Sequence, residues 1–79
     1  MEEIIRAIIA EHGRLPVEMS TVSDSDDLFE IGMTSHSTVN VMLALEDEFD
    51  VEFPEEMLKK GTFESVVAIK ASIGQLSGS

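Results

Sequence analysis

The hydrophobic residues of this chain recur at helical spacing in three separate runs, a pattern typical of a small helical bundle. The first run predicts a helix over about residues 2–13, where four isoleucines fall in pairs one turn apart. The second predicts a helix over about residues 35–50, with Val41 and Leu45 on its buried face. The third predicts a helix over about residues 62–74, followed by a polar tail.

The segments between these runs predict one short helix and one long loop. Residues 55–59 follow Pro54 and predict a short helix closed by Gly61, after which Thr62 serves as the N-cap of the last helix. Residues 14–34 predict a long first loop, which is unusual in a compact domain unless it has a function. No second strand candidate is present to form a sheet. We therefore expect an all-α fold of three main helices plus one short helix.

The length of the chain limits it to one small core. A chain of 79 residues buries only about 60–65 % of the surface that its unfolded form exposes. We predict a single domain over residues 1–79, ordered over about residues 2–74, with a frayed tail at residues 75–79. No stretch is apolar enough to cross a membrane and no signal-peptide pattern is present, so we expect a cytoplasmic monomer.

The charge balance excludes several classes of partner. The chain has sixteen acidic and five basic residues, which give a net charge of −11. Nucleic acids and anionic membrane surfaces are bound through dense Lys and Arg, so neither is an expected partner. The chain has no cysteine, which excludes disulfides, thiolate metal sites and any thiol chemistry of its own. Partners with basic surfaces are expected instead.

Enzyme and metal-site patterns are absent from the sequence. Ser35 has His36 beside it, but neighbouring residues on a helix point about 100° apart, so this histidine cannot serve as its base. The segment that starts at Asp24 begins like a calcium loop, but Leu28 takes a ligand position and Phe29 replaces the turn glycine. We therefore expect no catalytic and no metal-binding residues, and interpret the segment as a solvated acidic loop.

A run of acidic residues spans positions 46–56, with seven acids in eleven residues and no base. Like charges one helical turn apart repel each other, so the run destabilises the helix that contains it. Two interpretations stay open: a solvated surface, or a docking face for a cationic partner.

Two motifs stand at a fixed distance from each other. Residues 27–35 are Asp-Leu-Phe-Glu-Ile-Gly-Met-Thr-Ser, and residues 44–54 are Ala-Leu-Glu-Asp-Glu-Phe-Asp-Val-Glu-Phe-Pro. Together they resemble the acyl carrier protein family, in which a loop of the form D-L-x-x-x-G-x-D-S-L delivers a serine to the start of the second helix. The helix plan matches as well, so the resemblance covers about residues 2–74 and implies an acyl-carrier-protein-like bundle.

The resemblance implies that Ser35 is the attachment point of a 4′-phosphopantetheine arm, placed there from coenzyme A by a phosphopantetheinyl transferase. The arm would supply the thiol that this chain lacks and would hold an acyl group as a thioester for partner enzymes. A helix start suits such an arm, because unpaired backbone N–H groups and the helix dipole favour its phosphate. From the serine alone, a plain N-cap role is the simpler interpretation.

The resemblance also implies a partner-binding face along the predicted second helix. Its members are Thr34, His36, Val39, Leu43, Glu46 and Asp47. By periodicity alone, Val39 and Leu43 are equally consistent with core positions. Thr-Ser-His replaces the usual Asp-Ser-Leu, and residues 34–45 carry no acid or base apart from the histidine. A partner that relies on salt bridges around the serine would therefore bind weakly.

Three further stretches resemble the stand-alone bacterial aminoacyl carrier proteins: residues 13–16 (Gly-Arg-Leu-Pro), 34–36 (Thr-Ser-His) and 53–55 (Phe-Pro-Glu). Those proteins are loaded with a small amino acid by truncated homologues of class II aminoacyl-tRNA synthetases. The resemblance thus implies an amino acid:carrier protein ligase, or another acyl-loading enzyme, as partner. Two alternatives stay open: a fatty-acyl, polyketide or peptidyl carrier with the same arm, and an unmodified acidic helical interaction module.

Overall fold

The architecture is all-helical in the computed structural model of the chain, which describes residues 1–77. Its elements are α1 (Glu2–His12), a 3₁₀ turn (Met19–Thr21), α2 (Leu28–Ile31), α3 (Ser35–Phe49), a second 3₁₀ turn (Glu55–Met57), α4 (Lys60–Phe63) and α5 (Val66–Ser77). No strand occurs within residues 1–77, and the predicted all-α fold with three main helices is confirmed. The one-turn helix α2 was not predicted. None of the described helices is long and apolar enough to cross a membrane.

The core lies where α1 packs against α3 and α5. Ile5, Ile9, Val41 and Leu45 are fully buried, as the helical spacing of the apolar residues predicts. Each side chain of this size stabilises the fold by about 1.5–3 kcal/mol when it leaves water. Ile4 is 41 % exposed, because it lies about 100° around α1 from its buried neighbour.

One side chain of α1 anchors the first connection, which is the segment of residues 14–34 that was predicted as a long loop. Arg6 Nη1 donates to Asp24 Oδ1 at 2.7 Å, and Nη2 donates to the carbonyl oxygens of Met19 and Val22, each at 2.6 Å. One guanidinium can serve all three acceptors because its donors form a planar fork. The connection is therefore held by a polar anchor as well as by the buried side chain of Val22.

Two backbone hydrogen bonds join the connection to the junction before α5 and to the first turn of α5. The Leu28 amide donates to the Glu64 carbonyl at 2.7 Å, and the Val67 amide donates to the Asp24 carbonyl at 3.0 Å. Asp27 caps α2, since its Oδ1 accepts from the backbone N–H of the next residue but one at 2.9 Å. The acidic side chains of this segment therefore organise the local backbone, and residues 1–77 contain no cluster of potential metal ligands.

The last helical run is broken where the sequence predicts one continuous helix. Thr62 lies inside α4 and is buried, so its predicted role as an N-cap is wrong. Gly61 lies in the same turn and does not close the preceding one. Helix α4 ends before Glu64, whose carbonyl accepts the hydrogen bond from the Leu28 amide of the connection. Ser65 Oγ then accepts from the Ala68 amide at 3.0 Å and caps α5.

The end of α5 also differs from the prediction. The helix continues through Ser77, so residues 75–77 are helical and do not belong to a tail that starts at residue 75. Leu76 packs against the core, and Ser77 Oγ donates to the Ile73 carbonyl at 2.8 Å, which extends the helix by about one turn. The rest of the predicted frayed tail, residues 78–79, lies outside the described residues.

An ion pair joins the start of α1 to α5. Lys70 Nζ donates to Glu2 Oε2 at 2.6 Å, and this hydrogen bond lowers the pKa of Glu2 below its usual value. The pair therefore stabilises the fold above the unfolded-state pKa of this carboxyl, and the effect is lost as the pH falls through the folded-state pKa. Because both side chains are exposed, the effect is small.

Candidate functional site

A tight turn carries the chain from α2 into α3. Gly32 adopts a φ of 142°, which residues with a side chain rarely adopt, and a Cβ at this position would lie 2.9 Å from Cδ of Pro16. Met33 follows as a buried residue whose amide donates to the Leu28 carbonyl at 2.9 Å. These constraints fix where α3 begins, and they make Ser35 its first residue.

The N-cap of α3 is Thr34. Its Oγ1 accepts from the Ser37 amide at 3.0 Å and lies 2.9 Å from Ser37 Oγ. Its carbonyl accepts from Thr38 Oγ1 at 2.7 Å. The N-cap interpretation of Ser35 is therefore wrong. The Ser35 side chain is exposed on the first turn of a helix of 15 residues, and it takes no part in the capping bonds.

Ser35 lines a largely apolar groove of about 490 Å³. Helix α3 contributes Val39 and Met42 to the lining, and the chain around α4 contributes Leu58 and Phe63. An exposed hydroxyl beside such a groove fits a covalent arm, because the hydroxyl is open to attachment and the groove can cover part of the attached chain.

Two lysines also line this groove. Lys60 Nζ lies over the ring of Phe29, 5.5 Å from its centroid, in a cation–π contact. With Lys59, it supplies two of the five basic residues of a chain whose net charge is −11. The surroundings of Ser35 therefore include positive charge on an otherwise acidic protein.

The predicted partner-binding residues between Thr34 and Leu43 are all at the surface. Thr34 and His36 are exposed, and Val39 and Leu43 are 51 % and 54 % exposed. The core interpretation of Val39 and Leu43 is therefore wrong. Their spacing of four residues places them on one face of α3, and Val39 also lines the groove. Their contact with a partner stays a prediction.

The two acidic residues of the predicted face differ from each other. Glu46 Oε2 accepts from the Phe53 amide at 2.9 Å, so this carboxylate holds the chain that leaves α3. Phe53 is buried, and its ring centroid lies 5.1 Å from that of Phe63 in the groove wall. Glu46 thus has a structural role that was not predicted, whereas Asp47 is exposed.

The wall of the groove opposite α3 was missed in the sequence. The sequence patterns assign no functional role to Phe29, Leu58, Lys59 or Lys60, which all line the groove. One signal was present: the two adjacent lysines follow the acidic run at residues 46–56 after two apolar residues. A reversal of charge beside a proposed phosphate-bearing site indicates a local anion-binding surface.

Comparison with known proteins gives a consistent relationship over most of the chain. Residues 3–69 match the family model described as a phosphopantetheine attachment site. The aminoacyl carrier protein of Agrobacterium fabrum (strain C58) is 38 % identical over 73 residues, which cover 92 % of this chain and 88 % of that protein.

Solved structures are similar as well. One is a crystal structure of an engineered Bradyrhizobium japonicum glycine:[carrier protein] ligase complexed with a carrier protein from Agrobacterium tumefaciens and AMP. The matched chain of that structure has a TM-score of 0.90 and 38 % identity to this chain, over 92 % of this chain and 97 % of the matched chain. Another is the Bradyrhizobium japonicum ligase complexed with a glycylated carrier protein, with a TM-score of 0.77 and 27 % identity over 90 % and 95 % of the two chains.

Proposed function

This chain belongs to the family of carrier proteins with a phosphopantetheine attachment site, and we propose that it carries an aminoacyl group on an arm attached to Ser35. The resemblance stated from the sequence motifs is confirmed at the level of the family. Members of this family carry a group and do not catalyse its transfer, so the chain is a carrier protein and not an enzyme. The bound arm supplies a thiol that holds the cargo as a thioester, which a chain without cysteine cannot provide.

One observation supports the assignment of Ser35: its side chain is exposed at the first residue of α3 while Thr34 provides the cap. A hydroxyl that the fold does not use is open to a modifying enzyme. A phosphate bound there would lie at the positive end of the α3 dipole, near backbone N–H groups that have no acceptor within the helix. Ser37 is unsuitable by comparison, because it is buried and hydrogen-bonded to Thr34.

The proposal includes two partner enzymes. A phosphopantetheinyl transferase attaches the arm to Ser35, and an amino acid:carrier protein ligase loads it. The similarity to carrier proteins that bind a glycine:[carrier protein] ligase supports the second enzyme. The exposed and uncharged face formed by Val39 and Leu43 suits a contact that depends on apolar burial and does not need salt bridges around the serine.

A fatty-acyl cargo is the second candidate, and the apolar groove is the observation that favours it. Each CH₂ group buried there would gain about 0.8 kcal/mol. An aminoacyl group has the opposite balance, because removing its ammonium from water without a counter-charge costs roughly several kcal/mol. The two lysines of the lining add repulsion. The groove therefore distinguishes the two cargoes by where each one should lie.

We expect an aminoacyl load to stay outside the groove. In the modified chain loaded with alanine, the amide chemical shifts of Val39, Met42 and Phe63 should stay as they are without cargo. A hexanoyl load on the same arm should change all three, since its chain gains from burial. Amide-resolved NMR spectra of the two loaded forms measure this difference. Equal changes under both loads would show that the ammonium does not control where the cargo lies.

A loading assay tests the aminoacyl assignment. The modified chain is incubated with ATP, an amino acid and a glycine:[carrier protein] ligase, and the unmodified chain serves as control. We expect a hydroxylamine-sensitive amino acid on the modified chain and none on the control. Loading by fatty-acyl ligases, combined with no loading by amino acid ligases, would contradict the aminoacyl cargo and leave the carrier role in place.

Substituting Leu43 by aspartate is expected to reduce ligase loading at least tenfold, measured as kcat/KM for the modified chain. An apolar anchor at an interface typically contributes about 1–2 kcal/mol or more, and a buried carboxylate adds a desolvation cost. Val67→Asp is the matched control, because Val67 is 53 % exposed on α5 and Leu43 is 54 % exposed on α3. The control should stay within about twofold of the wild type, since isolated surface changes have small effects. Equal losses in the two variants would argue against docking through α3.

A further inference from the structure

The two lysines of the groove differ in their ion pairing from two of the three other Lys and Arg residues of the chain. Arg6 is paired with Asp24, and Lys70 is paired with Glu2. Lys59 and Lys60 form no ion pair with a carboxylate of residues 1–77, although the chain carries 16 acidic residues. Two adjacent positive charges without a protein counter-ion indicate a binding site for an external anion.

The position of these charges identifies the class of anion. Both lysines line the same groove as Ser35, and the contact with Phe29 holds the Lys60 ammonium over an aromatic ring of the lining. A phosphodiester on Ser35 Oγ would begin at this groove and carry one negative charge at neutral pH. The acidic run at residues 46–56 would repel such a group, whereas the lysines would attract it.

We propose that Lys59 and Lys60 bind the phosphodiester of the arm and thereby lay its pantetheine portion along the apolar groove. This inference rests on the proposed attachment at Ser35. The apolar lining of the groove includes Val39, Met42 and Phe63, which can cover the aliphatic part of pantetheine. The lysines thus act as positioning residues that determine where the unloaded thiol lies, without touching the thioester.

Two measurements on the modified chain test this role. The first is the ³¹P chemical shift of the phosphodiester, and the second is the set of amide shift changes between unmodified and modified protein. We expect the amide changes to reach Lys60 and Phe63, across the groove from α3. In the double variant Lys59→Gln/Lys60→Gln, these distant changes should fall by at least half and the ³¹P resonance should move. Added salt should have the same effect on the wild type, because ion pairs at the surface are screened.

Matched variants separate charge from packing. Lys70→Gln removes one positive charge from α5, away from the groove lining, and should leave both measurements as in the wild type. Lys59→Arg/Lys60→Arg keeps both charges and should restore the wild-type ³¹P shift. Amide spectra of the unmodified variants check that the bundle is intact.

The outcomes distinguish this inference from the carrier role. Amide changes confined to the neighbours of Ser35, with a ³¹P shift that is the same in wild type and Lys59→Gln/Lys60→Gln, would overturn the lysine contact alone. A wild-type chain that takes up no arm, as judged by its mass, would overturn the carrier proposal and this inference together.

Discussion

Replacing Ser35 by alanine is expected to abolish attachment of the arm while the fold stays intact. The Ser35 side chain is exposed and takes no part in capping α3, and alanine is favourable in a helix. The measurement is labelling with a fluorescent coenzyme A conjugate and a phosphopantetheinyl transferase, followed on a denaturing gel. The wild type should be labelled and Ser35→Ala should show no signal above background.

Ser37→Ala is the matched control for this experiment. Ser37 lies two residues further along the same helix, but it is buried and its Oγ lies 2.9 Å from Thr34 Oγ1. Its removal should lower the free energy of unfolding by about 1 kcal/mol, because a buried hydrogen bond is lost. Labelling of folded Ser37→Ala should equal that of the wild type. Labelled Ser35→Ala would show that another hydroxyl receives the arm.

Replacing Arg6 by alanine is expected to cause the largest loss of stability among the polar substitutions considered. The guanidinium donates to Asp24 Oδ1 and to the carbonyls of Met19 and Val22, at 2.6–2.7 Å. Hydrogen bonds from a charged donor each contribute about 1.5–3 kcal/mol, and partial exposure reduces that value, so we expect a total loss of about 3 kcal/mol. A domain of this size has a total stability of roughly 4–12 kcal/mol. Thermal unfolding should therefore show a Tm lowered by about 15 °C.

Lys70→Ala provides the control for Arg6→Ala. Its ion pair with Glu2 is as short, at 2.6 Å, but both side chains are exposed and only one hydrogen bond is lost. We expect a much smaller loss of stability than in Arg6→Ala, because solvent screens an exposed ion pair. Equal destabilisation in the two variants would contradict the role of Arg6 as the anchor of the first connection. Arg6→Lys should resemble Arg6→Ala, because one ammonium cannot reproduce the planar fork of donors.

The main helices could be predicted because their signals are local. The predicted second helix, at residues 35–50, differs from α3 by a single residue at its end. There Asp50 adopts a left-handed φ of 53°, so it ends the helix as a C-cap. The serine at the start of α3 could also be assigned a role, since it lies within a motif that includes Gly32. The backbone conformation at this position and the close approach of Pro16 do require a residue without a side chain.

The connection and the break before α5 could not be predicted, because their causes lie far apart in the sequence. Arg6 reaches acceptors 13–18 residues away, and no periodic pattern marks such a contact. The predicted continuous helix is interrupted at Glu64, because the Glu64 carbonyl accepts a hydrogen bond from the Leu28 amide, which lies far away in the sequence. Local propensity favours a helix there, and tertiary hydrogen bonding overrides it.

The groove could not be predicted for the same reason. Its walls come from α2, α3 and the chain around α4, and each wall alone has the pattern of an ordinary surface or core segment. Glu46 shows a limit of motif-based prediction. Its position in a motif implied a partner contact, whereas its carboxylate accepts a hydrogen bond from the Phe53 amide. A resemblance can indicate which residues matter, but it cannot tell a structural role from a binding role.

The most direct test of a carrier role is the intact mass of the wild-type chain after incubation with coenzyme A and a broad-specificity phosphopantetheinyl transferase. We predict that the mass increases by one phosphopantetheine group and that fragment spectra place the group on Ser35. An unchanged mass would contradict the carrier role and would favour an unmodified acidic interaction module in its place.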